Sequence, residues 1–81
     1  MEKSEFLKHI DELLELAPGT LTGSEPLQAV GWDSLAIIGF MALCDDRFGL
    51  QISPLEIRDC ETVDELFALV QNSLAEVKRA S

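Results

Sequence analysis

An 81-residue chain with 15 acidic and 6 basic residues, formal net charge −9, has room for one core and little left over to wall a deep active site. A hydrophobic fraction of 47% is too high for a disordered chain. The charge argues against nucleic acid or an anionic membrane as partner and favours proteins with basic patches.

The first predicted helix spans about residues 4–16. Phe6, Leu7, Ile10, Leu13, Leu14 and Ala17 recur at helical spacing, Ser4 is the expected N-cap, and Pro18-Gly19 is the expected stop. A loop to about Trp32 follows, long for a small helical domain, with Leu21, Leu27, Val30 and Trp32 as expected anchors. The second helix is expected over 34–48, capped by Asp33 or Ser34 and closed by Gly49. Ser53-Pro54-Leu55-Glu56 combines a capping box with proline at the first helical position and announces a short helix over about 54–59. Thr62-Val63-Asp64-Glu65 is a second capping box and opens a helix over 63–78, with Val63, Leu66, Phe67, Val70, Leu74 and Val77 on its apolar stripe. Lys78 and Arg79 suit the negative end of that helix. With no useful strand alternation, the expected fold is all-α, a single four-helix domain over 1–81 with a long first loop and a short third helix.

Most catalytic constellations are missing. His9 is the one histidine and is expected on the solvated side of the first helix. There is no HExxH, no glycine-rich phosphate loop, no metal spacing of Cys and His, and no GxSxG around any serine. No catalytic residue and no metal ligand is expected. Cys44 and Cys60 are read as reduced, small hydrophobes. The charged N-terminus precedes no apolar leader, and the longest apolar run, Leu35 to Cys44, is broken by Gly39. A cytoplasmic, monomeric protein that neither inserts into membranes nor binds nucleic acid is therefore expected. Because the chain begins with Met1 and ends soon after the last helix, it is expected to be freestanding.

Gly31-Trp32-Asp33-Ser34-Leu35 lies where the long loop meets the second helix. On local chemistry it is a helix start: glycine for the turn, Asp and Ser as caps, Leu opening the stripe. The same residues resemble the Asp-Ser-Leu hallmark of the acyl carrier protein family, including its peptidyl and D-alanyl carrier relatives. The likeness extends to Asp45-Asp46-Arg47-Phe48-Gly49 at the end of the second helix, to Ile52 ahead of a short helix, and to Thr62-Val63 opening the last one, covering about residues 4 to 77.

The resemblance implies a covalent 4′-phosphopantetheine arm, taken from coenzyme A and attached to Ser34 by a phosphopantetheinyl transferase, with Asp33 helping to position that enzyme or its metal ion. It further implies a non-enzymatic carrier that takes acyl thioesters from a loading enzyme to a downstream synthase or transferase. Aminoacyl or peptidyl cargo of a nonribosomal-type pathway is the alternative, as is an unmodified helical interaction module. A helix N-terminus, with its free N–H groups, suits the phosphodiester.

At 100° per residue, Ile38, Ala42 and Asp45 lie within roughly 80° of Ser34. The resemblance assigns docking to this helix and its neighbours, so Leu35, Ile38, Ala42 and Asp45 are docking candidates, with Asp46, Glu56 and Asp59 supplying charge. Ile37, Phe40, Cys44 and Phe48 are expected to face the core. Ala36 and Gly39 stand where fatty-acid members of the family are acidic. That departure leans toward a dedicated carrier of a specialised pathway. It leaves two readings of Gly39, a close partner contact together with Ala36 and Ala42, or packing against the loop. Phe6, Phe40, Phe48 and Phe67 are expected to fill the interior and keep cargo outside.

Overall fold

The computed structural model describes the backbone of residues 2–80 and the side chains of residues 2–76. Its elements are α1 (Lys3–Leu13), a 3₁₀ turn (Leu27–Val30), α2 (Ser34–Phe48), α3 (Pro54–Arg58) and α4 (Val63–Ala80). Helices α1 and α3 each pack against both α2 and α4. The core joins Phe6 and Ile10 of α1 to Phe40 and Cys44 of α2, Ile57 of α3, and Val63, Leu66 and Val70 of α4. Burying each of the larger side chains stabilises the fold by about 1.5–3 kcal/mol. Phe6 is the hub: its ring meets Phe40 edge-on at 6.2 Å and Phe67 at 5.2 Å.

Helix α1 ends three residues before its expected last residue, 16, and starts one residue before the expected start. Ser4 lies inside it, and Glu2 is the N-cap, without a side-chain cap bond. The terminator is not Pro18-Gly19 but Glu15, in the left-handed region at φ 59°. Leu16 N–H donates to the Asp11 carbonyl (2.8 Å) and Glu15 N–H to that of Glu12 (3.2 Å), the Schellman closure of a helix end. Ala17 therefore leaves the stripe and is exposed. The two capping boxes form as expected. Ser53 Oγ accepts from Leu55 N–H (3.1 Å) while the Glu56 carboxylate accepts from Ser53 N–H (3.3 Å). Thr62 Oγ1 accepts from Glu65 N–H (3.2 Å) while Glu65 accepts from Thr62 N–H (2.9 Å). Helix α3 closes at Arg58 and α4 runs on to Ala80. The expected roles of Val77, Lys78 and Arg79 concern side chains outside the described residues.

The long loop is ordered by polar contacts as well as by its apolar anchors. Leu21 and Leu27 are buried, and Val30 and Trp32 pack half-buried on the core. Asp11, 1% exposed, accepts from Gly19 N–H (3.1 Å) and Leu21 N–H (3.2 Å). The far half of the loop runs antiparallel to the start of α4: Leu27 N–H donates to Glu61 O (2.8 Å), Val63 N–H to Glu25 O (3.2 Å) and Asp64 N–H to Gly23 O (2.8 Å). Gly23, at φ 112°, lies so close to Asp64 and Lys3 that a β-carbon there would collide with their ion pair.

Candidate functional site

The loop delivers the chain to α2 at Asp33, whose extended backbone and side chain make it the N-cap: Oδ1 accepts from Ala36 N–H at 2.9 Å. That bond settles which residue of the pair is the cap. Ser34, the first helical residue, is exposed, and its hydroxyl takes no hydrogen bond among the described residues. It sits on the positive end of a fifteen-residue helix, where an attached phosphate would meet unpaired N–H groups.

Beyond Ser34, α2 is apolar on both sides. Phe40 and Cys44 face the core, flanked by half-buried Ile37 and Phe48. Leu35 (76% exposed) and Ile38 (63%) face outward, as do Ala42, Asp45 and Asp46. A helix apolar all round belongs in an interior; one left open on one side marks a surface to be covered. Glu56 and Asp59 of the neighbouring α3 segment are exposed, with Glu56 also serving its capping box. Leu55 on α3 is also 70% exposed and was not anticipated. Its place in a two-turn-at-most helix carries no periodicity from which exposure could be read.

The small residues of α2 divide. Ala36 is buried, and the space a β-carbon would occupy at Gly39 is filled by Leu13 Cδ1 at 2.6 Å. Gly39 thus admits the end of α1, neither the loop nor a partner, and only Ala42 remains a small outward residue. Leu13, Leu35, Ala36, Ile38 and Gly39 line a shallow groove of about 380 Å³ beside Ser34.

Phe48 and Phe67 are half-buried rather than central, so Phe6 and Phe40 are the two phenylalanines fully inside; Phe48 meets His9 edge-on at 6.0 Å, and His9 is only half-solvated. A separate open cleft of about 490 Å³ lies between the loop, α2 and α3, walled by Leu27, Trp32, Ile37 and Ile57. Trp32 stacks edge-on against Phe40 at 5.7 Å, while its indole Nε1 is buried with no partner among the described residues. An orphaned donor of this kind costs about 1–3 kcal/mol.

Neither cysteine is a nucleophile near neutral pH. Burial pushes the Cys44 thiol up to about 12. Burial, then the carboxylates of Glu65, Asp59 and Glu56, push Cys60 up to about 11. Glu25 moves the other way, to about 2, because its carboxylate accepts the N–H groups of Thr22 and Gly23, each at 2.8 Å. Among the described residues no cluster of His, Cys, Asp and Glu could hold a metal ion, and no helix is long and apolar enough to cross a membrane.

Sequence comparison agrees with this geometry. The family model for the phosphopantetheine attachment site matches residues 4–70, and the chain belongs to that family. The family's defining group is covalent 4′-phosphopantetheine, and an exposed serine with an uncommitted hydroxyl at a helix N-terminus fits it. A curated relative is the non-reducing polyketide synthase ausA of Aspergillus calidoustus, 39% identical over 54 residues. That alignment covers 67% of this chain and 2% of the synthase, so the chain spans a small fraction of its relative. No solved structure matches the chain.

Proposed function

We propose that this protein is a non-catalytic carrier that holds acyl intermediates as thioesters on a phosphopantetheine arm at Ser34 and presents them to partner enzymes of a polyketide-type or other specialised pathway. The observation that carries the reading is the free, exposed Ser34 hydroxyl on the first turn of α2, beside an Asp33 that is already committed as the cap. In the transfer, the Ser34 oxygen attacks the pyrophosphate of coenzyme A. A serine–phosphorus ester forms, the pyrophosphate bond breaks, the adenosine bisphosphate part departs, and the transferase takes the serine proton. Asp33 holds the serine at the helix end while the transferase docks. The arm supplies a thiol for thioester formation. With Cys44 and Cys60 held protonated by burial, the chain has no thiolate of its own to intercept the acyl group.

Leu35, Ile38 and Ala42 form the apolar part of the proposed docking face, and Asp45, Asp46, Glu56 and Asp59 its acidic part. Loading enzymes, downstream synthases and the transferase would approach with basic rims, in the cytoplasm and toward a monomer, and the net charge of −9 would speed those encounters at low salt. The name of the curated relative weights the cargo toward polyketide over aminoacyl intermediates.

The test is the intact mass after incubation with coenzyme A and a broad-specificity transferase. One phosphopantetheine is expected on the native protein and none on Ser34→Ala, which should keep its fold because Ser34 is exposed. A folded native protein that gains nothing would leave an unmodified interaction module.

A further inference from the structure

The shallow groove between α1 and α2 is lined by Asp33 and Leu35, the two sequence neighbours of Ser34, and its lining continues to Ile38 and Gly39. At 1.5 Å per residue those two lie roughly 6–8 Å along the helix from the serine. The groove exists because α2 is thin there: Ala36 is small and buried, and Gly39 leaves its β-carbon space to the tip of Leu13. Leu35 and Ile38, three residues apart and therefore side by side on the helix, leave its apolar wall exposed. Glu15, held in the left-handed region at φ 59°, also lines it, and its exposed carboxylate has no hydrogen bond or ion pair among the described residues. The clefts lined by Trp32 and Ile37, by Met41 and Ile52, and by Lys8 and Arg47 include neither neighbour of Ser34. A phosphopantetheine arm carries matching groups in matching order. One methylene beyond its phosphate comes a carbon bearing two methyl groups, the most apolar part of the arm. A hydroxyl and two amide N–H groups follow, donors for a free carboxylate.

We propose that Leu13, Leu35 and Ile38 form a seat for the base of the arm: the two methyl groups next to the phosphate rest in the groove between α1 and α2, while the thiol end stays free. Leu35 and Ile38 then serve two occupants in turn, the base of the arm when the carrier is alone and a partner enzyme when it docks, so that docking lifts the arm off the carrier. The inference rests on the carrier reading, and its test separates the two. Protein labelled with carbon-13 and nitrogen-15 is loaded by a transferase from unlabelled coenzyme A and verified by intact mass. Isotope-filtered nuclear Overhauser spectra then report contacts between the unlabelled arm and the labelled chain. Contacts from the arm's two methyl signals to the Leu13 and Ile38 methyls are expected, with none to Leu27 or Ile57 of the separate cleft. In Ile38→Ser, an exposed position that should leave the fold intact, occupancy of the seat should fall roughly fourfold or more, the worth of at least one methylene group taken out of water. Mass gain with arm contacts that are absent, directed to Leu27 and Ile57, or undiminished in Ile38→Ser overturns the seat alone. Absence of mass gain on the native protein overturns the carrier reading and this inference with it.

Discussion

The first loop and the outward strip of α2 meet at Ser34, yet opposite chemistry shapes them. The loop is held by polar contacts as well as by its apolar anchors. Asp11 is buried to hold Gly19 and Leu21, Glu25 gathers the Thr22 and Gly23 amides, and three main-chain bonds tie the loop to the start of α4. The strip is apolar and unengaged, with Leu35 and Ile38 facing outward. Polar groups thus hold the loop in place, while the exposed apolar residues make up the proposed docking face. A carrier needs both, because a partner must find the same serine in the same place while the carrier offers an adhesive but releasable face.

Breaking the loop side should have the largest effect. Asp11→Ala leaves two amide groups without their charged acceptor and should lower unfolding free energy by about 2–4 kcal/mol, read by urea denaturation. If it does not, the loop is held by its apolar anchors alone. The strip side should respond in binding and not in stability. Leu35→Asp is expected to weaken a partner enzyme at least about tenfold, as for an interface hot spot, while stability shifts within about 0.5 kcal/mol. A loss of stability equal to the loss of binding would mean that Leu35 belongs to the core.

Acid titration sharpens the loop side further. Glu25 has a folded pKa of about 2, below its ordinary 4.5. Its contribution is fully present above pH 4.5 and is lost as pH falls through about 2. Glu25→Gln should therefore flatten the stability profile between those values, as followed by circular dichroism. The smallest effect is expected at Gly39→Ala. The added methyl gains about 1 kcal/mol of helix propensity but must displace Leu13 Cδ1, the mobile tip of a side chain. A change in melting temperature of a few degrees at most should follow, and a large loss would mean that Leu13 cannot yield.

Much of this arrangement was legible in advance because it is local. Capping boxes, helical periodicity and a glycine C-cap each act within a few residues, so three of the four helix starts and the position of Ser34 followed from spacing. The failures came where distant groups compete. Pro18-Gly19 was the natural stop for α1, but Glu15 closes the helix earlier while Asp11 turns inward. Asp11 did carry a signal: it lies four residues after Leu7 and three before Leu14, on the apolar face.

The sequence by itself determined the helical fold, the acidic surface and the serine at the start of the second helix, since these depend on residue type and short-range order. Only the tertiary structure decided that Gly39 admits Leu13, that Phe48 rests on His9, that Leu55 faces outward and that the Trp32 indole is left without an acceptor. Each of those depends on which side chains from remote parts of the chain arrive at the same point, and no local periodicity encodes that meeting.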